Sequence, residues 1–186
     1  VSMDKIIRVL HTEWSDGWGG QEIRILAESK AFIKKGYKII IAANPNSDLF
    51  NKSNQAGVPT FALKMNKGLN LLAIFSLVRF IKKNHIEIVH THSSVDSRTA
   101  GIAARISVIK VVRSRHISIP ISKSSLTWWQ YMKLADRVIT SGSHIRNAMI
   151  KVNKMSAEKI ISAPAGVDTK QFSIKRKLKD IRPDYN

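Results

Sequence analysis

None of the 186 residues is a cysteine, which removes disulfide staples, cysteine-based zinc sites and thiol nucleophiles together. Acids are scarce: 13 Asp and Glu face 31 Lys and Arg, a formal net charge of +18. So strong an imbalance favours polyanionic partners, whether nucleic acid, an anionic membrane face or phosphorylated ligands. Long apolar runs are missing too. The longest stretch, Leu69 to Ile81, is interrupted by Asn70 and Arg79 and falls short of the roughly 18 apolar residues of a membrane-spanning helix. The beginning carries an acid at Asp4 and only a brief, largely apolar run from Ile6 to Leu10, too short for the core of an export signal. The expectation is a cytoplasmic protein with one domain of ordinary size.

What is present is alternation. Short β-branched runs exchange with longer segments of helical period, the pattern of βα repeats on a parallel sheet covered on both faces. The spacing predicts strands at Ile6 to His11, Lys38 to Ala43, Thr60 to Leu63, Ile86 to His92, Lys110 to Arg115, Arg137 to Ser141 and Ile160 to Ala163. Helices are expected at Gln21 to Lys35, Leu69 to Asn84, Asp96 to Ile106, Leu126 to Ala135 and His144 to Val152, with a short one after Asn44 to Asp48. Gly36 sits where a helix C-cap glycine belongs. The fold class expected is α/β, a Rossmann-like parallel sheet of about seven strands with helices on both faces. Beyond Pro164-Ala165-Gly166 the periodicity fades and the chain becomes basic, so one domain is assigned to residues 1–172 and a linker to 173–186.

In open parallel sheets ligands bind beyond the carboxyl ends of the strands, where helix N-termini point free N–H groups into a crevice. The first strand ends in a loop from Thr12 to Glu22 that contains adjacent glycines, Gly19 and Gly20, which let backbone approach a phosphate or sugar closely. Glu22 stands at the third glycine position of a dinucleotide fingerprint, no G-K-S/T follows, and Ala43-Asn44 replaces the acid that would hold a ribose. Nicotinamide cofactors are therefore disfavoured. His90, His92 and His116 fall at strand ends. His90 and His92 share a face, but no third ligand stands at ligand-like spacing, so hydrogen bonding is preferred to metal binding. Asp96 and Arg98 are candidates for contacts to polar ligand groups, with helix capping the competing role for Asp96. Trp14 and Trp18 in the Gly-rich loop, and Trp128-Trp129 in a helix preceded by Lys123, suit sugar stacking or a membrane interface; core packing is the competing reading of each pair.

Together these pieces resemble a known family. Gly19-Gly20-Gln21-Glu22, Ile88-Val89-His90-Thr91-His92, strand-terminal His116, Ala135-Asp136-Arg137-Val138-Ile139 and Pro164-Ala165-Gly166-Val167-Asp168 with Phe172 are similar, in order and across nearly the whole chain, to the N-terminal domain of family 4 glycosyltransferases. These are retaining enzymes of GT-B fold. Two positions depart from the pattern: Ala165 replaces an Asn, and Gly142-Ser143 replaces Ser-Glu after the sixth strand.

The resemblance implies a two-domain enzyme whose first half binds the acceptor, a cell-envelope glycan or glycolipid such as lipopolysaccharide, and whose second half binds a nucleotide-sugar donor through a basic pair and an E-x7-E motif. Residues 1–186 then lack the donor site and are inactive alone, with no cofactor or metal of their own. Carried over position by position, Gly19 and Gly20 offer backbone N–H groups to the donor diphosphate, and His116 contacts the transferring sugar or acceptor hydroxyl. His92 lines the same cleft, with Trp18, Asp96 and Arg98. The partners implied are the acceptor, the chain's own C-terminal domain and an anionic membrane surface at its inner face. Two other readings compete: a basic nucleic-acid-binding α/β module, against which the chain shows no RNP, KH or zinc-finger pattern, and a self-contained Rossmann-like small-molecule binder.

Overall fold

The computed structural model describes residues 6–68, 70–119, 121–166 and 169; the expected boundary near Phe172 lies outside them. Seven parallel strands form one sheet in the order β3-β2-β1-β4-β5-β6-β7. They are β1 (Arg8–Glu13), β2 (Lys38–Ala43), β3 (Thr60–Ala62), β4 (Ile88–Thr91), β5 (Lys110–Arg115), β6 (Arg137–Thr140) and β7 (Ile160–Ser162). The helices are α1 (Gly20–Lys34), α2 (Asp48–Gln55), α3 (Leu71–Lys83), α4 (Ser94–Ile106), α5 (Ser125–Trp129) and α6 (Ser143–Lys151). The expected α/β class and strand count hold.

Order and handedness together decide which face each helix covers. From β1 to β3 the chain steps one way along the sheet; from β3 to β7 it steps the other way. Because parallel crossovers are right-handed, α1 and α2 lie on one face and α3 to α6 on the opposite one. Residue parity follows the same division. Leu10, Val89 and Val111, matched in register across three strands, and Val138, which pairs with Arg113 on the same face, pack with Ala100, Ala103 and Ala104 of α4 and with Leu77 and Ile81 of α3 in the main core. A smaller core, Ile25, Ile41, Ala43, Leu49 and Val58, seals the other face only beneath α1 and α2.

Two local features matter for the site. At Gly36, with φ of 89°, the N–H bonds Ile33 O and the next N–H, of Tyr37, bonds Phe32 O. This is the Schellman stop that glycine's freedom permits, and it turns the chain directly into β2. The expected single helix from Leu126 to Ala135 divides: α5 gives way to a π-helical turn, Gln130–Leu134. The turn faces a buried arginine, with Gln130 Oε1 accepting from Arg113 Nη1 at 3.1 Å and the guanidinium 3.7 Å from the centre of the Tyr131 ring. Widening the helix by one residue per turn brings both groups onto the cation, a use of π-turns that sequence periodicity does not encode.

Candidate functional site at the strand ends

On the face carrying α1, alternate residues at the ends of β1, β4 and β5 are polar: His11 and Glu13, His90 and His92, Ser114 and His116. The sheet brings them into one cluster. His11 Nδ1 and His92 Nε2 are hydrogen-bonded at 3.0 Å, and His92 Nδ1 and His116 Nε2 likewise at 3.0 Å. His90 Nε2 bonds Ser114 Oγ at 2.8 Å. The rings of His11 and His92, and of His92 and His116, are stacked with centroids 5.3 Å apart in both pairs. Three imidazoles thus form a ladder from the interior at His11 to the half-buried His116 at the rim.

Burial keeps these rings neutral. It lowers His11 from the usual imidazole value to about 4. His116 also falls to about 4, through burial first and then the nearby charges of Arg24 and Arg115. His90 and His92 are pushed well down, again mainly by burial. A neutral imidazole donates from one nitrogen and accepts at the other, so the nitrogen used inside the ladder determines what His116 presents outward.

Glu13, like Asp96, departs from ordinary carboxylate behaviour. Fully buried, it accepts from the N–H groups of Trp14 and Ser15, each at 3.0 Å, and from Gln21 Nε2. Burial, and then the charge of Asp96, raise its carboxyl to about 8. It anchors both ends of the glycine loop.

The expected site residues separate into two groups. His116 stands at the rim as expected, and Trp18 is 37% exposed with Lys52 Nζ 5.0 Å from its ring centre. Gly20 opens α1 and is exposed, at the helix end where first-turn N–H groups lack intrahelical partners. Gly19 differs from expectation, because its N–H already donates to Glu22 Oε2 at 2.9 Å as part of the helix cap. His92 is 4% exposed and forms a second layer behind His116 rather than the cleft wall.

Asp96 is likewise no wall residue. It is fully buried and accepts from Thr12 Oγ1 at 3.1 Å, the His92 N–H at 2.7 Å, and both the N–H and hydroxyl of Ser93. This is the carboxylate of an α4 capping box, and it ties β1 to β4. Arg98 spends its guanidinium on the Lys67 carbonyl, holding the loop before α3. Sequence spacing missed His11, Glu13 and Arg113. The signal available was their period-two placement on predicted strands; for His11 the partner His92 lies 81 residues away and is supplied by strand order alone.

The family model for Glycosyltransferase Family 4 matches residues 18–171. The chain belongs to this family. Among solved structures, a glycosyltransferase from Rickettsia africae matches with a TM-score of 0.77 and 18% identity, over 90% of this chain and 45% of that one. HepE of Anabaena, solved in complex with UDP, matches with a TM-score of 0.75 and 16% identity over 89% and 46%. The lipopolysaccharide outer core galactosyltransferase WaaB matches with a TM-score of 0.64 and 16% identity over 88% and 47%. A search of the curated proteins finds no match. At such identities the shared property is the fold, and this family 4 glycosyltransferase domain spans a little under half the length of each of these chains.

Proposed function

We propose that this domain is the acceptor-binding half of a retaining glycosyltransferase that moves a sugar from a nucleotide-sugar to a cell-envelope glycan or glycolipid at the inner membrane face, with the donor held by a second domain. The observation that carries the reading is the row of strand-end imidazoles beside the N-terminus of α1. His116, neutral and half-buried, hydrogen-bonds a hydroxyl of the transferring sugar or acceptor, while His92 and His11 hold its orientation. The Gly20 end of α1 supplies N–H groups and a positive dipole end to the donor diphosphate. Gly19 joins them only if Glu22 swings away. Positioning two substrates and stabilising the departing negative charge supply most of what such a transfer requires. Two structural relatives support this class: HepE was solved in complex with UDP, and WaaB is a lipopolysaccharide outer core galactosyltransferase.

Membrane contact belongs to the same reading. Leu71, Leu72 and Phe75, at the N-terminus of α3, are 68%, 84% and 70% exposed, and the preceding loop carries Lys64 and Lys67. Apolar side chains beside lysines, in a chain of net charge +18, suit shallow insertion into an anionic surface. No helix among the described residues is long and apolar enough to cross a membrane.

Two experiments test the proposal. The domain joined to the coding sequence that follows Asn186, assayed with a panel of nucleotide-sugars and envelope glycolipids, is expected to transfer sugar. His116→Ala should lower the rate at least about hundredfold, and the domain alone should show none. Transfer unaffected by His116→Ala removes the assigned role. Separately, the domain should sediment with anionic liposomes at low salt and be released at high salt, and Leu72→Glu should abolish the association. Absence of binding at low salt removes the membrane part only.

A further inference from the structure

The same cluster carries a second capability, independent of sugar transfer. One ring nitrogen from each of His11, His90 and His92 lies within 4.8 Å of the corresponding nitrogens of the other two. The closest pair, His11 Nδ1 and His92 Nε2, is 3.0 Å apart, whereas two imidazoles on a tetrahedral Zn2+ at about 2.0–2.1 Å have nitrogens roughly 3.3 Å apart. For this pair a few tenths of an ångström of ring movement suffice, the shared proton passing to the far nitrogen of its own ring so that both facing nitrogens offer lone pairs to the metal, and the His90 nitrogen, within 4.8 Å, moves in to the same spacing.

The outer shell is already in place. Metal-bound imidazoles almost always donate their remaining N–H to a fixed acceptor, and His92 Nδ1 meets His116 Nε2 at 3.0 Å while His90 Nε2 meets Ser114 Oγ at 2.8 Å. Those two bonds leave His92 Nε2 and His90 Nδ1 as ligand atoms on the inner side. Access exists as well: His11, His90 and Ser114 line a cavity of about 440 Å³ between α1 and the sheet. The nearby cation, Arg24, is paired with Glu28 and with the Ala163 carbonyl, which reduces its repulsion of a second charge.

We propose that His11, His90 and His92 form a three-imidazole site for a divalent transition-metal ion, with Zn2+ the best fit and Cu2+ or Ni2+ able to compete. The fourth coordination position opens to the cavity and is filled by solvent. In the loaded site His92 Nδ1–H donates to His116 Nε2, so the metal commits His116 to the tautomer with its proton on Nδ1. Sequence spacing alone argues against such a site, since the third ligand comes from a strand 79 residues before His90 and becomes its neighbour only through the pairing of β1 with β4.

The test uses untagged protein, stripped with EDTA and titrated calorimetrically with ZnCl2 and CoCl2 in a non-coordinating buffer at pH 7.5. One equivalent of each should bind, Co2+ should give the intense visible bands of a four-coordinate ion, and zinc-edge X-ray absorption should show three imidazoles. His11→Gln and His90→Gln should each weaken Zn2+ binding more than about hundredfold, and Ser114→Ala about tenfold through the lost outer-shell bond. Replacing the exposed His85 and His144 with Asn should change nothing. The site is refuted by no binding at micromolar Zn2+, by an absorption spectrum with fewer than three imidazoles, or by affinity that follows His85 and His144. The spectrum of the wild-type chain decides the matter even if the buried variants fail to fold. Failure here leaves the transferase reading intact, because that reading needs no metal in this cluster.

Discussion

On the face beneath α3, α4 and the π-turn, Leu10, Val89, Val111 and Val138 are each no more than 2% exposed. On the opposite face the same four strands turn Val9, Ile88, Val112 and Ile139 toward the cavity of about 440 Å³ and end in the histidine cluster. Both faces are apolar over most of their length, so composition does not separate them. Topology does. Four successive right-handed crossovers build the first face, whereas α1 and α2 cover only the β1, β2 and β3 side of the second. Among the described residues no helix covers β4 to β7 there. One face therefore carries the stability, and the other, held less tightly, has room for polar groups.

The comparison breaks most readily by truncation. Leu77→Ala on the closed face should cost about 2–5 kcal/mol, and Val112→Ala on the open face less than about 1 kcal/mol, both measured by urea denaturation. Equal losses would mean that the open face is packed after all.

Titration comes next. With EDTA present, His11 at about 4 in the folded state and near 6.5 unfolded leaves the folded chain with fewer protons between those values. Its contribution, about 3 kcal/mol, is complete above pH 6.5 and lost as the pH falls toward 4. His90, His92 and the half-buried His116, all lowered, act in the same direction. Glu13, raised from 4.5 to about 8, acts in the opposite one: the folded state holds the extra proton, so stability declines as the pH rises from 4.5 to 8. A melting-temperature profile should therefore fall on both sides of a maximum. Glu13→Gln should flatten the alkaline limb and steepen the acid limb between pH 4.5 and 6.5, where the Glu13 and histidine effects oppose each other.

Adding a methylene sharpens the contrast. Val111→Ile should cost about 1–3 kcal/mol by overpacking, while Val112→Ile, with the cavity in front of it, should stay within about 0.5 kcal/mol of wild type. Smallest is Gly20→Ala, where open space receives the Cβ and the lower backbone entropy of the unfolded chain adds about 0.5 kcal/mol of stability. A loss there would mean that the first turn of α1 is tighter than its geometry indicates.

Much of the architecture was legible because period and punctuation agree. Lys38 to Ala43 and Lys110 to Arg115 form strands at their predicted limits, and Gly36 advertises its own turn. Val108 and His85 make the same kind of stop with φ of 57° and 51°, but neither residue type announces a left-handed position. The strand at Ile6 to His11 was placed two residues early, since pairing of Glu13 with Ala43 extends β1 into the loop. For the site, the rim position of His116 and the exposed Gly20 were readable from strand ends. The inward turn of Asp96, the capture of the Gly19 N–H by Glu22 and the arrival of His11 beside His92 were not. Each depends on which strand lies next to which, and periodicity carries no information about lateral order.

That lateral order also sets a timetable. β1 is among the first segments made, yet its neighbour on one side, β4, begins only at Ile88. At ribosomal speeds of about 5–20 residues per second, the β4-facing edge of β1 waits several seconds in the nascent chain with its amides unpaired. During that interval His11 has neither His90 nor His92 beside it, and the half-made sheet is most exposed to capture by a chaperone or by another strand.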